Sequence, residues 1–254
     1  MKSVTGFRLT YHALSDRGRV RAENEDALFA DGEEGLFIVA DGIGGASAGA
    51  VASEIVVEVL PLLISQLARK SRTVSAKGRK QILAGALAEL SRSLRQRSEG
   101  QVGTHGMGAA AVVAWIRGGR ACIAHLGDSR AYLCRGRSLE QLTTDHTVAQ
   151  MLIDSGELRP EEVVSHPARG RLTRFIGMTG EPLPEARSVE LQTGDKLLLC
   201  SDGLTGMLRD SELYRLLRER RSPRTTCQKL LAAALNAGGK DNISTIVISF
   251  NSSD

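Results

Sequence analysis

Carboxylates recur along this chain at places where a strand would end. Asp41 follows the run LFIVA and opens Asp41-Gly42-Ile43-Gly44-Gly45. Asp128 follows ACIAHLG and leads into Ser129-Arg130, while Asp202 follows KLLLCS and precedes Gly203. Asp241 comes after Gly238-Gly239-Lys240 and before Asn242, and Glu25 and Asp26 lie in RVRAENEDALF. Mg²⁺ and Mn²⁺ prefer oxygen ligands, so acids gathered at the mouths of buried strands make a site for hard divalent cations. Such a site points to metal-dependent phosphate chemistry. Taken singly, an Asp before Gly has a plainer reading as a turn residue. The glycines of DGIGGASAG match neither GxGxxG nor GxxxxGK[ST], and Asp41 in front of them would repel a phosphate unless a cation intervened.

The elements that must position these acids follow from apolar patterning. Period-two or continuous apolar runs predict strands over 7–14, 27–30 and 36–40. Helical spacing of Val51, Ile55, Val59, Leu62 and Leu63 predicts a helix from about Ala48 to Ala68, which Pro61 should kink or divide. A second helix, from about Lys80 to Arg97, aligns Ile82, Leu83, Leu87, Leu90 and Leu94 on one stripe. Strands return at 109–117 and 120–126 around Gly118-Gly119, a hairpin signal, and again at 131–136 and 138–142. The stretch from about Thr143 to Glu185 is irregular. Strands over 186–191 and 195–200, helices over about 210–219 and 225–236, and a strand over 243–250 complete the order. Helices come in groups rather than alternating with strands, which fits two antiparallel sheets covered by helix pairs better than a Rossmann or TIM arrangement.

The totals bound the reading. A chain of 254 residues with 42% hydrophobic and 24% charged residues can bury one large core. No run approaches the roughly 18 apolar residues of a membrane span, and the N-terminus lacks the apolar core of a signal peptide. Cys122, Cys134, Cys200 and Cys227 form no CxxC pair, so reduced thiols in a cytoplasm are expected. The net charge is +4 and aromatics are 4% of the chain, so the basic runs at 69–80, 92–97 and 218–224 read as solvated helix ends and loops rather than a nucleic-acid surface.

In chain order the motifs are Arg21-x-x-Asn24-Glu25-Asp26, Ala40-Asp41-Gly42-x-Gly44-Gly45, Gly106-Met107-Gly108, Gly127-Asp128-Ser129-Arg130, Thr144-Asp145-His146, Leu172-Thr173-Arg174, Cys200-Ser201-Asp202-Gly203-Leu204 and Asp241-Asn242-Ile243. This order resembles the bacterial branch of the PPM-type, protein phosphatase 2C-like serine/threonine phosphatases, from about Ser15 to Phe250. The resemblance implies an α+β fold, a four-layer αββα sandwich over residues 1–254, with a flap insert at about 146–178. It implies two or three Mn²⁺ or Mg²⁺ ions. Asp41 would bridge two of them, with Asp202 and Asp241 completing the first. The Gly42 carbonyl would hold the second, with Glu25 near it through water. Asp128 with Asp202 would hold a third, Asp26 would orient the ligands from behind, and Arg21 would grip the substrate phosphate.

That chemistry is coherent. A phosphoserine carries nearly two negative charges, which bare carboxylates would exclude and cations would accept. Arg21 offers a planar fork of donors to phosphate oxygens. Two departures stand out. Ile43 occupies the place of a histidine proposed as general acid in many eukaryotic members, so the leaving group would take its proton from a metal-bound water or from another histidine, for which His146 is a candidate beside its plainer reading as a structural hydrogen-bonder. Gly108-Ala109-Ala110 replaces the usual Gly-Thr-Thr, which predicts a packing change. The leading expectation is a phosphoprotein phosphatase opposing a bacterial Ser/Thr kinase, monomeric, cytoplasmic, with no nucleic acid and no membrane span. Its rivals are a silent phosphoprotein-binding domain, which would typically lose the metal-binding acids, and a phosphatase dedicated to one regulator.

Overall fold

The computed structural model describes residues 7–44, 48–70, 75–99 and 106–252. Its layering follows from side-chain alternation. In β3 (Leu36–Ile43), Leu36, Ile38 and Ala40 face one way, Phe37 and Val39 the other, and all five are buried. A strand buried on both faces lies between two other layers. One face of β3 meets α1 (Ala48–Arg69) and α2 (Ala76–Glu99), and the other meets a second sheet. In β10 (Ile243–Ser252) the same rule sends Ile246, Ile248 and Phe250 between the sheets, and Ile243 and Val247 toward helices. Each fully buried side chain of this size contributes roughly 1.5–3 kcal/mol.

The first sheet runs β1 (Phe7–Asp16), β10, β9 (Lys196–Cys200), β6 (Arg130–Arg135), β7 (Ser138–Gln141). The second runs β2 (Asp26–Asp31), β3, β4 (Gly108–Arg117), β5 (Arg120–Leu126), β8 (Glu185–Glu190). All pairings between these strands are antiparallel. The short α4 (Asp202–Thr205), with α5 (Asp210–Leu217) and α6 (Pro223–Asn236), covers the first sheet through Leu204, Leu213, Leu217 and Leu230. The expected αββα sandwich is therefore present, and α4 is an addition to the elements read from sequence. The insert holds α3 (Val148–Asp154) and a 3₁₀ turn at Pro160–Ser165. Its base is closed by bridges between Thr147 and Leu172 and between Ala109 and Ile176.

Two expectations need correction. Helix α1 is not divided at Pro61, because Val56, Leu60 and Ile64 bury one continuous stripe across that turn. Helix α1 is also long and apolar enough, by length and composition alone, to cross a membrane. Its buried face against β3 and α2 is how the core helix of a sandwich satisfies the same composition.

Candidate metal centre

One end of the sandwich collects the acids. Asp26 opens β2 directly opposite Asp41 in β3, so strand register alone places the two side by side. Asp128 follows the end of β5, and Asp202 follows the end of β9 and begins α4. Asp241 precedes β10, whose first residue pairs with Asp16 at the end of β1. A cavity of about 340 Å³ is lined by Arg21, Glu25, Asp41, Gly42, Asp128, Asp202 and Asp241, with Ile43, Ala110, Gly170 and Leu172 at its walls. The six acids picked out in the sequence thus share one locality, with Asp26 behind the cavity wall rather than in it. Gly44 also lines the cavity, while Gly45 lies outside the described residues.

Two groups that sequence reasoning left without a role hold this arrangement. Asn242, buried, donates from Nδ2 to the carbonyls of Arg17 (2.8 Å) and Glu23 (2.9 Å) and accepts the Glu25 N–H at 2.8 Å. It thereby ties the loop carrying Arg21 and Glu25 to the start of β10. Ser201 donates its hydroxyl to Asp26 Oδ2 at 2.7 Å and accepts the Ser244 N–H at 3.0 Å. Gly42 is a glycine for space: a side chain there would strike the carbonyl of Gly49, and its N–H bonds the Glu25 carbonyl at 3.1 Å.

The electrostatics ask for cations. Among the described residues, Asp26, Asp41, Asp128 and Asp202 form no ion pair; Arg21 bonds Asp241, Nη2 to Oδ2, at 2.7 Å. Burial, reinforced by Asp26, Asp202, Asp128 and Asp241, pushes the Asp41 carboxyl well above its ordinary range. Burial and then Asp202 do the same to Asp128, and burial and then Asp241 raise Asp202. Burial outweighs the serine hydroxyls at Asp26 and lifts it to about 7. One Asp26 oxygen, Oδ1, is buried without a hydrogen-bond partner. Carboxylates that raise one another in this way favour protons or divalent cations in their midst, and an all-oxygen donor set fits Mg²⁺ or Mn²⁺.

The sequence model of the family described as protein phosphatase 2C matches residues 17–237. The chain belongs to that family. The serine/threonine phosphatase stp of Listeria welshimeri serovar 6b is 35% identical over 93% of this chain and 94% of its own length. The serine/threonine protein phosphatase PstP of Mycobacterium tuberculosis is 37% identical over 94% of this chain, which spans 44% of PstP. The crystal structure of Mycobacterium tuberculosis PstP/Ppp superposes with a TM-score of 0.83 at 34% identity, covering 96% of this chain and 99% of that one. A PstP catalytic domain in complex with two manganese ions gives 0.80 at 30% identity, with the same coverage.

As a protein phosphatase 2C, the chain can be read at its departures. Ile43 lines the cavity, so an apolar wall stands where the histidine of other members would be. Ala109 and Ala110 are buried in β4 as expected, but Ala110 also lines the cavity and its Cβ abuts the backbone of Gly127, so the change is not confined to packing. His146 does not line the cavity. Its ring is buried, stacked on His125 at 4.5 Å, and its Nδ1 accepts the Gly127 N–H at 3.1 Å. Burial, with His125 and Arg174 nearby, lowers it to about 4, which favours the neutral ring, and its surroundings fit the plainer reading as a structural hydrogen-bonder. Asp145, its neighbour, is spent on Arg130, which it binds through both oxygens at 2.8 and 2.6 Å.

His125, His146 and Glu185 bring one donor atom each within 4.8 Å of one another, which has the look of a second metal site. The tautomer argues against it. A cation on His146 Nε2 would place the ring proton on Nδ1, facing the Gly127 N–H, and Glu185 already carries Arg174 at 3.1 Å.

Proposed function

We propose that this protein phosphatase 2C removes phosphate from serine and threonine residues of proteins, using Mn²⁺ or Mg²⁺ held by Asp41, Asp128, Asp202, Asp241 and the Gly42 carbonyl. The observation that carries the reading is the convergence of these carboxylates on one open cavity, with no ion pair among the described residues except at Asp241. Relatives of this length are named serine/threonine phosphatases, and one solved relative holds two manganese ions. The ions supply charge compensation for the phosphoryl group and activation of water at neutral pH.

The chain's own groups do the rest. Asp41 lines the cavity with Asp202 and Asp128, and burial, then the charges of Asp26, Asp202 and Asp128, raise its carboxyl. Asp26, fixed by Ser201, backs Asp41 from the facing strand. Glu25 is held at the rim by Asn242. Arg21 is half-exposed on a loop, where an arriving phosphate can take its guanidinium from Asp241. Gly170 and Leu172 bring the insert at 146–178 to the rim, where it would help to choose the protein substrate. A silent reader of phosphoproteins has no use for this set of acids.

The substrates imply a Ser/Thr kinase as the opposing activity, since the ester must be made before it is cleaved. A single domain over 1–254, a monomer, a cytoplasmic setting and the absence of a membrane span complete the proposal. Four buried, unbridged cysteines are consistent with that setting. The test is hydrolysis of a phosphothreonine peptide by metal-stripped protein with and without Mn²⁺, alongside Arg21→Ala. Turnover should require Mn²⁺, and Arg21→Ala should lower kcat/KM roughly 10- to 100-fold, the worth of one charge-assisted hydrogen bond. Turnover that persists in chelator, or none when Mn²⁺ is bound, would overturn the reading.

A further inference from the structure

The sharp corner between β5 and Asp128 is controlled from a distance in sequence. Gly127 has φ +117°, a conformation that side chains rarely adopt, and an added Cβ would collide with Ala110. Both of its backbone polar groups end on one residue. The Gly127 N–H donates to His146 Nδ1 at 3.1 Å, and the Gly127 carbonyl accepts the His146 N–H at 3.1 Å. The His146 ring cannot tilt freely. It lies nearly parallel to His125, at 16°, and His125 is itself bonded through Nε2 to the Thr144 carbonyl at 2.8 Å.

The other side of His146 faces the insert. Its carbonyl accepts the Thr173 N–H at 2.8 Å, at the point where the insert returns to the sandwich. Its Nε2 lies 3.3 Å from Glu185 Oε1, and Glu185 holds Arg174 at 3.1 Å. Arg174 in turn donates to the Leu183 carbonyl at 3.1 Å. The adjoining pair Val148 N–H and Arg171 carbonyl, at 2.8 Å, closes the same base. One imidazole therefore touches the residue before Asp128 and, through its own backbone and Glu185, both strands of the insert's neck.

We propose that His146 is a positioning residue: by accepting the Gly127 N–H it sets the angle at which Asp128 enters the metal cavity, and it couples that angle to the base of the insert. This rests on the reading of Asp128 as a metal ligand. A residue that orients a ligand without touching the ion commonly changes affinity by 10- to 100-fold when replaced.

Two polar variants separate the two ring nitrogens. Asn at 146 keeps an acceptor near the Nδ1 position; Gln carries its acceptor out toward the Nε2 position. Mn²⁺ titration by calorimetry, with kcat measured at saturating Mn²⁺, should show His146→Gln weakening the site that uses Asp128 by about tenfold. His146→Asn should stay close to wild type. In the double variant with Asp128→Asn, His146→Gln should add nothing to the loss. Glu185→Ala, at a half-exposed position, asks the same question without touching the core and should give a smaller weakening of the same site. Equal Mn²⁺ affinity in the Asn and Gln variants, full additivity with Asp128→Asn, or loss of stability in melts with unchanged Mn²⁺ affinity would overturn the proposal. Wild-type protein that binds no Mn²⁺ would instead sink the functional reading on which it stands.

Discussion

The two ends of the sandwich treat charge in opposite ways. At the metal-centre end, four carboxylates crowd a cavity with no ion pair of their own among the described residues. At the far end, beside the starts of β1 and β9, the carboxylates of Asp195 and Glu219 are both matched. Arg135 binds both oxygens of buried Asp195, at 2.9 and 2.7 Å. Lys196 donates to the carbonyls of Glu219 and Arg221 at the turn between α5 and α6. Hydrogen bonds from Lys229 and Arg221 hold the Glu219 carboxyl down at about 2. The far end even has the larger cleft, about 970 Å³ against 340 Å³. Size and charge count do not distinguish a working site from a structural one here. Charge left unmatched by the protein does.

The sharpest way to break that contrast is Asp41→Asn. It should abolish the Mn²⁺ binding proposed for Asp41 and remove several kcal/mol of transition-state stabilisation, on the order of 10³-fold in kcat. The same change should stabilise the metal-free protein at neutral pH. Asp26, Asp41, Asp128 and Asp202 all have raised values in the fold, so the native state holds protons that the unfolded chain has released. Stability of the metal-free wild type should therefore fall as pH rises from about 4 through about 7. Melting curves of wild type and Asp41→Asn across that window, in chelator, check the sign; parallel curves would contradict it.

Asn242→Ala comes next. It strands the Glu25 N–H and the Arg17 and Glu23 carbonyls, and should cost roughly 1–3 kcal/mol in urea unfolding. Mn²⁺ affinity should drop with it, because the loop bearing Glu25 loses its anchor. At the far end, Arg135→Ala should cost about 1 kcal/mol by the same assay and leave kcat and KM untouched. A change in kcat there would erase the contrast between the ends. Lys229→Ala should be the smallest, with no measurable change in either assay, since exposed ion pairs contribute little.

The local layers of this structure were legible in the sequence for a physical reason. The continuous apolar runs at 36–40 and 243–250, and the Gly118-Gly119 turn, are set by neighbours a few residues apart, and the strands form where those patterns lie. Pro61 misled because helix propensity was outweighed by the stripe that α1 buries on its sheet. Asp41, Asp128, Asp202 and Asp241 were legible as strand-end acids. Their convergence was legible only through the resemblance of the whole motif order. Asn242 and Ser201 stood inside quoted motifs without a role, because their partners on the early part of the chain, Arg17, Glu23, Glu25 and Asp26, lie 175 to 225 residues away. The stack of His125 on His146 left no signal either: nothing in a pattern of spacing announces that a strand and a loop will bring rings face to face.

Asn242 also sets a condition on when the protein can become active. The chain leaves the ribosome from its N-terminus, so the loop at 17–25 and Asp41 emerge long before the residue that clasps them. Until residues 241–242 are out and β10 has slotted between β1 and β9, the early half of the centre has neither Asp241 nor its clasp. A nascent chain halted short of that point would carry Asp41 and Asp202 but no finished centre, and catalytic competence would arrive only with the final strand.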